Sequence, residues 1–306
     1  MYGQRDIKGI LEGHGIRLSK ALGQNFLVDA NIPEKIVRLS GIDRSCGVLE
    51  VGPGLGALTS ALCEAAGKVV SVELDKRLVP VLRDIFEGRG NVEIVHGDIL
   101  KLDIPGLVEG KMQGLGRHAC ANLPYNITTP ALVAIMSAGV FESMTVMVQR
   151  EVAQRICAAP GSPEYGAFTV FVNYHAEPET LFDVPPECFM PRPRVHSSVV
   201  MMRTRAAWLL EPEDEAGFFR VVRAAFGQRR KTLVNALCAA FGDALGKDGL
   251  AAIVEGCGFD ARARGETLGI EEFARLSKAI KLEIESRGKP TFGTKDEGKP
   301  RPCSDH

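Results

Sequence analysis

Asn122-Leu123-Pro124-Tyr125 is the stretch of this chain whose residue types could act together on one substrate. The exocyclic amine of a nucleobase is a poor nucleophile, because its lone pair is delocalised into the ring. A site that accepts hydrogen bonds from both of its N–H groups favours the tetrahedral geometry that frees that pair. Asn122 offers a side-chain carbonyl for this purpose. Proline pushes the residue before it into an extended conformation, which can aim the Leu123 carbonyl at the same amine. Pro124 itself has no N–H to compete. The Tyr125 ring gives an extruded base a surface to stack on, worth about 1–3 kcal/mol. No strong general base is needed, since the proton can leave after the transfer. The plain alternative is a strand-end turn with a buried tyrosine, and the surrounding elements decide between the two.

The tetrad ends a strand read over His118 to Leu123, and an α/β unit must position it. In Val48-Leu-Glu-Val-Gly-Pro-Gly-Leu-Gly-Ala-Leu-Thr59, Val48 to Val51 reads as a short buried strand and Ala57 to Ala65 as a helix. Gly52, Gly54 and Gly56 make a tight turn between them, because glycine tolerates positive φ and lets a ligand approach the backbone. The spacing is G-x-G-x-G after Glu50, not the dehydrogenase G-x-G-x-x-G. It suits S-adenosylmethionine, which has no pyrophosphate to seat on a helix N-terminus. Alone it is a weak signal, since glycine turns after buried strands are common.

Acids at the right distances beyond the turn add weight. A second strand, Lys68 to Leu74, ends at Glu73-Leu-Asp75, and Glu73 lies roughly 20 residues beyond Gly52, where an acid accepts from ribose hydroxyls in α/β nucleotide folds. A third strand, Asn91 to Val95, leads to Asp98, which can accept from an adenine amino group. Residues 76–88 read as an amphipathic helix, and Lys101 to Arg117 as a glycine-rich loop. Further strands are expected at Met144 to Gln149, near Thr169 to Tyr174, and at Ser197 to Met202, the last two able to form an antiparallel edge. From Asp214 the apolar residues keep helical spacing, as in Phe218, Val222 and Phe226. The expected architecture is α/β: a Rossmann-like, seven-stranded, mainly parallel sheet over residues 1–205, a small all-α domain over 206–285, and a disordered polar tail over 286–306.

Composition narrows the class. A length of 306 residues fits one large domain and a smaller one. A formal net charge of -1 excludes a globally basic nucleic-acid binder but not a local basic face. The eight cysteines (46, 63, 120, 157, 188, 238, 257 and 303) form no C-x-x-C pair, so free thiols in a reducing cytosol are expected. No apolar run approaches the roughly 18 residues of a membrane span, and Met1 to Gly15 is polar where a signal sequence is apolar. A cytoplasmic monomer is the expectation.

Taken together, these runs make the chain resemble the bacterial small-subunit (16S) ribosomal RNA adenine N6,N6-dimethyltransferase family. The matching runs include Leu22-Gly-Gln-Asn-Phe-Leu-Val-Asp29, Val48 to Thr59, Val72-Glu-Leu-Asp75, Gly97-Asp98 and Asn122 to Tyr125. Tyr165-Gly166, Phe189-Met-Pro-Arg-Pro-Arg-Val-His-Ser197 and Phe226-Gly-Gln-Arg-Arg-Lys-Thr-Leu233 continue the likeness, which covers about residues 14–282. The resemblance implies a class I S-adenosylmethionine-dependent methyltransferase that dimethylates two adjacent adenosines in the 3′-terminal hairpin loop of 16S rRNA, within the 30S subunit or its precursor. It implies that Asn25 and Leu27 close over the methionine end of the cofactor and that Gly52 approaches it through the backbone. Glu73 would hold the ribose, Asp98 the adenine amine, and Asn122 both cofactor and target amine. Phe189 would pack the flipped adenine. One departure is that the family commonly has Lys where this chain has Arg194, which keeps the charge but not the donor geometry.

Two basic clusters are candidates for tracking an RNA backbone: Arg192 and Arg194, with Arg203 and Arg205, beside Phe189, and Arg220, Arg223, Arg229, Arg230 and Lys231 in a segment (216–242) without an acid. Two rival readings share parts of this pattern. One is a large-subunit adenine methyltransferase of the macrolide-resistance type; the other is a non-catalytic assembly factor. A nicotinamide oxidoreductase predicts a different glycine spacing and no tetrad.

Overall fold

The computed structural model describes residues 9, 12–16, 25–205, 211, 214–260, 262–288 and 292. Leu22, Gly23 and Gln24 of the first matching run, and almost all of the tail, lie outside them. Two compact units divide the chain. One runs to Ala153 and resumes over Pro178–Thr204; the other takes Gln154–Glu177 and the chain from Arg205 onward. The single cut expected at residue 205 thus differs from the observed division, in which the 154–177 segment joins the C-terminal helices.

The first unit carries a seven-stranded sheet. Its strands are β2 (Cys46–Val51), β3 (Lys68–Glu73), β4 (Val92–His96), β5 (Gly116–Asn122), β6 (Ser143–Gln149), β7 (Ala176–Val184) and β9 (Ser197–Thr204), in the order β4-β3-β2-β5-β6-β9-β7. β2 pairs in parallel with both β3 and β5, β3 with β4, and β5 with β6, while β9 runs antiparallel to β6. All six residues of β2 are buried, as a central parallel strand covered on both faces requires. Chain order runs outward from β2 through β3 to β4, then reverses through β5 to β6. In open α/β sheets such a reversal opens a crevice at the carboxyl ends of the two central strands. Gly52 comes directly after β2, and Asn122 ends β5.

Helices α1 (Asn31–Ser40), α2 (Ala57–Ala65), α3 (Leu78–Ile85), α4 (Ile104–Lys111), α5 (Thr128–Ser137) and α6 (Arg150–Ile156) succeed one another in chain order. The presence of α4 corrects the loop expected over Lys101 to Arg117. Gly106 and Gly110 lower the helix propensity of that segment, but Asp103 caps it by accepting from the Gly106 N–H at 3.2 Å, and Pro105 sits in the first turn. A two-residue strand, β1 (Phe26–Leu27), pairs antiparallel with β8 (Phe189–Met190), setting Leu27 opposite Phe189.

In the second unit, α7 (Ala167–His175) replaces the strand expected near Thr169 to Tyr174. The run Phe-Thr-Val-Phe-Val is rich in strand-forming types, but packing overrides the propensity. Tyr174 stacks on Phe218 at 5.1 Å between centroids and meets Phe219 edge-on at 5.0 Å. The sixth strand of the sheet is instead the next segment, β7. The expected helices are α8 (Glu215–Gly227), α9 (Leu233–Gly256), kinked at Gly246, and α10 (Ile270–Ser286). Their core gathers Phe218, Val222, Leu237, Phe241, Phe273 and Ile280. Phe292 departs from the expected disordered tail, because it is buried and stacks on Phe241 at 6.0 Å. Among the described residues, seven cysteines are free thiols, and no helix is long and apolar enough to cross a membrane.

Candidate active site

The crevice is a cavity in the first unit, and Asn25, Gly52, Glu73, Asp98, Asn122 and Tyr125 all line it. Four different strand ends and one upstream loop therefore converge on one space.

The glycine turn forms one wall. Gly52, Gly54 and Gly56 all have positive φ (68°, 61° and 81°), so the backbone curls tightly before α2. A Cβ on Gly54 would sit 2.9 Å from the Phe26 ring, so that glycine also lets β1 lie against the turn. Glu73 braces the same turn. Its Oε2 accepts from the Gly54 N–H at 3.3 Å and its Oε1 from the Asp75 N–H at 2.8 Å. Burial pushes its carboxyl above the usual range, while those backbone donors oppose the shift. Asp98 is half-buried in its own turn, accepting from the Leu100 N–H at 3.1 Å and pairing with Lys101 at 3.5 Å.

The tetrad forms the facing wall. The Leu123 N–H donates to Met147 O at 3.2 Å, which ties the residue after β5 to β6. Pro124 O accepts from the Ile127 N–H and from the Thr128 hydroxyl, both at 3.1 Å, which pins the turn after the tetrad. Asn122 Nδ2 donates to Asn25 O at 3.3 Å. With the amide nitrogen engaged, the Asn122 side-chain carbonyl is the end left to accept from an amine. Leu123, Pro124 and Leu27 also line the cavity.

Phe189 stands apart from the other expected site residues. Only 2% of it is exposed; it packs in the core of the unit opposite Leu27 and does not line the cavity. A base-packing ring needs an open face, and this ring has none here. Its place in the β1–β8 ribbon makes it a support for Leu27.

The basic residues are not equally available. Arg192 is ion-paired with Glu187. Arg194 is exposed in the same loop. In the second unit, Arg229 pairs with Glu266 at 2.9 Å and donates to Pro163 O at 2.6 Å, so an acid from outside the 216–242 segment neutralises it. Arg223, Arg230 and Lys231 are exposed.

Two contributors are not evident from the sequence. Ser197, which closes one of the matching runs, shares a hydrogen bond with the Tyr125 hydroxyl. Glu50, which in the sequence merely precedes the glycines, is 1% exposed and lines the cavity floor. Its Oε2 accepts from the Thr59 hydroxyl at 2.7 Å and the Ser71 hydroxyl at 2.6 Å. A buried strand acid with hydroxyls at those distances cannot be read from spacing alone.

Known proteins share this arrangement. The ribosomal RNA adenine dimethylase family matches residues 15–276. Over 276 residues the chain is 48% identical to ribosomal RNA small subunit methyltransferase A of Shouchella clausii (strain KSM-K16), spanning 89% of this chain and 92% of that protein. Among solved structures it is similar to the 23S rRNA methyltransferase ErmE, with a TM-score of 0.67 and 26% identity over 83% of this chain and 99% of that one. A dimethyladenosine transferase from Plasmodium falciparum has a TM-score of 0.70 and 25% identity over 86% and 98% of the two chains. The seven-stranded sheet, with its crevice at the β2/β5 reversal, is thus the class I methyltransferase fold. With the glycine turn, the strand-end acids and the tetrad on one cavity and a family match over most of its length, the chain belongs to the ribosomal RNA adenine dimethylase family.

Proposed function

We propose that this protein transfers methyl groups from S-adenosylmethionine to N6 of two adjacent adenosines in the 3′-terminal hairpin loop of 16S rRNA, acting on the 30S subunit or its precursor. The observation that carries this reading is that Asn122 and Tyr125 open onto the same cavity as Glu73 and Asp98.

The donor set suits the cofactor. Two acids at neighbouring strand ends match ribose hydroxyls and an adenine amine, and the curled glycine turn leaves backbone free of side chains beside them. Bound there, S-adenosylmethionine supplies an electrophilic methyl group. Glu73 would hold the ribose, Asp98 the adenine amine and the Gly52 backbone the neighbouring portion, with Asn25 and Leu27 closing over the methionine end. The Asn122 and Leu123 carbonyls accept from the target amine and release its lone pair. Pro124 keeps that acceptor pair free of a competing N–H. Tyr125 offers its ring to the base, and Phe189 backs Leu27 through the ribbon.

Extruding a base costs a few kcal/mol and least from a loop, so a hairpin loop is a better substrate than duplex. Arg194, Arg223, Arg230 and Lys231 serve as the phosphate contacts; Arg192 and Arg229 join them by exchanging their carboxylate partners for phosphate. The small-subunit substrate is favoured over the large-subunit one by 48% identity to a small-subunit enzyme against 26% to ErmE. The protein acts in the cytoplasm as a monomer.

The test is mass spectrometry of 30S particles from cells lacking this protein, incubated with it and methyl-labelled S-adenosylmethionine. Dimethyladenosine at two adjacent positions near the 16S 3′ end is the expected result. Label confined to 23S RNA would move the chain to the resistance-type enzymes. Tight particle binding without label would leave only an assembly role.

A further inference from the structure

Tyr125 Oη and Ser197 Oγ lie 2.8 Å apart, across 72 residues of sequence. Their settings differ. Tyr125 opens a single turn of 3-10 helix and is half-buried at the cavity wall. Ser197 is the first residue of β9, fully buried, and in register with Gln149 at the end of β6. Seven register pairs from Ser143↔Arg203 to Gln149↔Ser197 hold that residue in the sheet.

The turn itself does not orient the ring. Pro124 O, the Thr128 hydroxyl and the Ile127 N–H secure the main chain on either side of Tyr125, but the torsion that sets a tyrosine ring plane is broad and roughly two-fold. The phenol oxygen lies on the axis of that torsion, so a hydrogen bond there fixes where the ring tip sits, and the O–H preference for the ring plane biases the torsion. Stacking depends on that plane, and small misplacements in a reactive complex are costly.

We propose that Ser197 is a positioning residue for methyl transfer: its hydroxyl, anchored in the β6–β9 ladder, holds the tip of the Tyr125 ring on which the target base stacks. The inference rests on the reading of Tyr125 as the stacking surface. Ser197 is buried and does not line the cavity, so its effect reaches the reaction through Tyr125.

The experiment is methyl transfer to unmethylated 30S particles by the wild type, Ser197→Ala, Tyr125→Phe, the double variant, Ser197→Thr and Tyr125→Ala, with cofactor binding measured for each. Ser197→Ala and Tyr125→Phe should each lower kcat about five-fold, the size of one net hydrogen bond, with cofactor affinity unchanged. The double variant should be no slower than either single one, and Ser197→Thr, which keeps the hydroxyl, should restore the rate. Losses that multiply in the double variant, or a Ser197→Ala enzyme with wild-type kcat, would overturn the proposal while a crippled Tyr125→Ala kept the stacking reading intact. A Tyr125→Ala enzyme with wild-type kcat would remove the stacking reading and the proposal with it.

Discussion

Asn122 Nδ2 donates to the backbone carbonyl of Asn25 at 3.3 Å, joining residues 97 positions apart. The bond links the loop expected to close over the cofactor to the residue expected to hold the target amine. It also sets which end of the Asn122 amide points toward a substrate. On the proposed reading, cofactor closure and amine recognition share one side chain.

Removing that side chain should separate chemistry from RNA binding. Asn122→Ala is expected to lower single-turnover methyl transfer by about 10²–10³, the range for losing one oriented polar group at a reacting centre, while 30S binding persists. Asn122→Asp should behave differently. It keeps an acceptor for the amine but turns an oxygen toward the Asn25 carbonyl, so cofactor affinity should fall about ten-fold or more. Calorimetric titration with S-adenosylmethionine checks this, and equal affinity for Asp and Asn would refute the link.

Gly54 tests the contact between the turn and β1. Alanine there meets both a φ of +61° and the Phe26 ring at 2.9 Å. The left-handed backbone alone costs a non-glycine residue about 1–2 kcal/mol, and the clash displaces β1. Gly54→Ala should weaken cofactor binding about ten-fold or more, and adding Phe26→Ala should recover part of the loss. No recovery in the double variant would mean that β1 does not report on the turn.

Glu50 gives a pH signature. Burial pushes its carboxyl up to about 7 from 4.5, against the pull of the Ser71 and Thr59 hydroxyls. Between those values the folded chain keeps a proton that the unfolded chain releases. Stability from this group is therefore complete below about pH 4.5 and is lost as pH rises through 7, by on the order of 3 kcal/mol. His175, pushed down to about 4 by burial, has the opposite slope below pH 6.5, so the informative quantity is a difference. Relative to the wild type, Glu50→Gln should gain stability progressively from pH 5 to pH 8 in urea unfolding. Parallel profiles would show that Glu50 ionises in the folded chain as freely as in the unfolded one.

The basic residues of α8 and the turn after it should divide by their partners. Arg230→Ala and Lys231→Ala are each expected to lower the dependence of log affinity on log salt by roughly 0.7–0.9, one phosphate contact apiece. Arg229→Ala should lower the unfolding midpoint as well as the salt dependence, since Arg229 ties Glu266 to Pro163 O before it turns to phosphate. Filter binding to 30S particles between 50 and 200 mM salt, as an order-of-magnitude range, together with thermal melts, distinguishes them.

Much of the cavity is legible in the sequence because its parts are local. A strand leading into a glycine turn, and an acid at a strand end, are written in a few adjacent residues. Their common destination comes from the rule that parallel strands place their carboxyl ends on one edge. Glu73, Asp98, Asn122 and Tyr125 therefore meet where expected. Helix α7 is not legible, because a short aromatic and β-branched run satisfies strand propensity until the packing of Tyr174 against Phe218 and Phe219 decides otherwise. Helix α4 is hidden for the converse reason: a cap and a proline start a helix that two glycines disguise.

Residue types and their order set the chemistry available: which carbonyls, carboxylates and ring stand at strand ends. How those groups are held follows from the fold. Ser197 on Tyr125, Asn25 on Asn122, Phe26 against Gly54 and Glu266 on Arg229 are pairings across long stretches of chain. The fold also placed Phe189 in the core opposite Leu27 and off the cavity lining. Residue type sets what a group can donate or accept. Its partner is chosen by how the sheet and helices close around it, and that closure is a property of the whole chain.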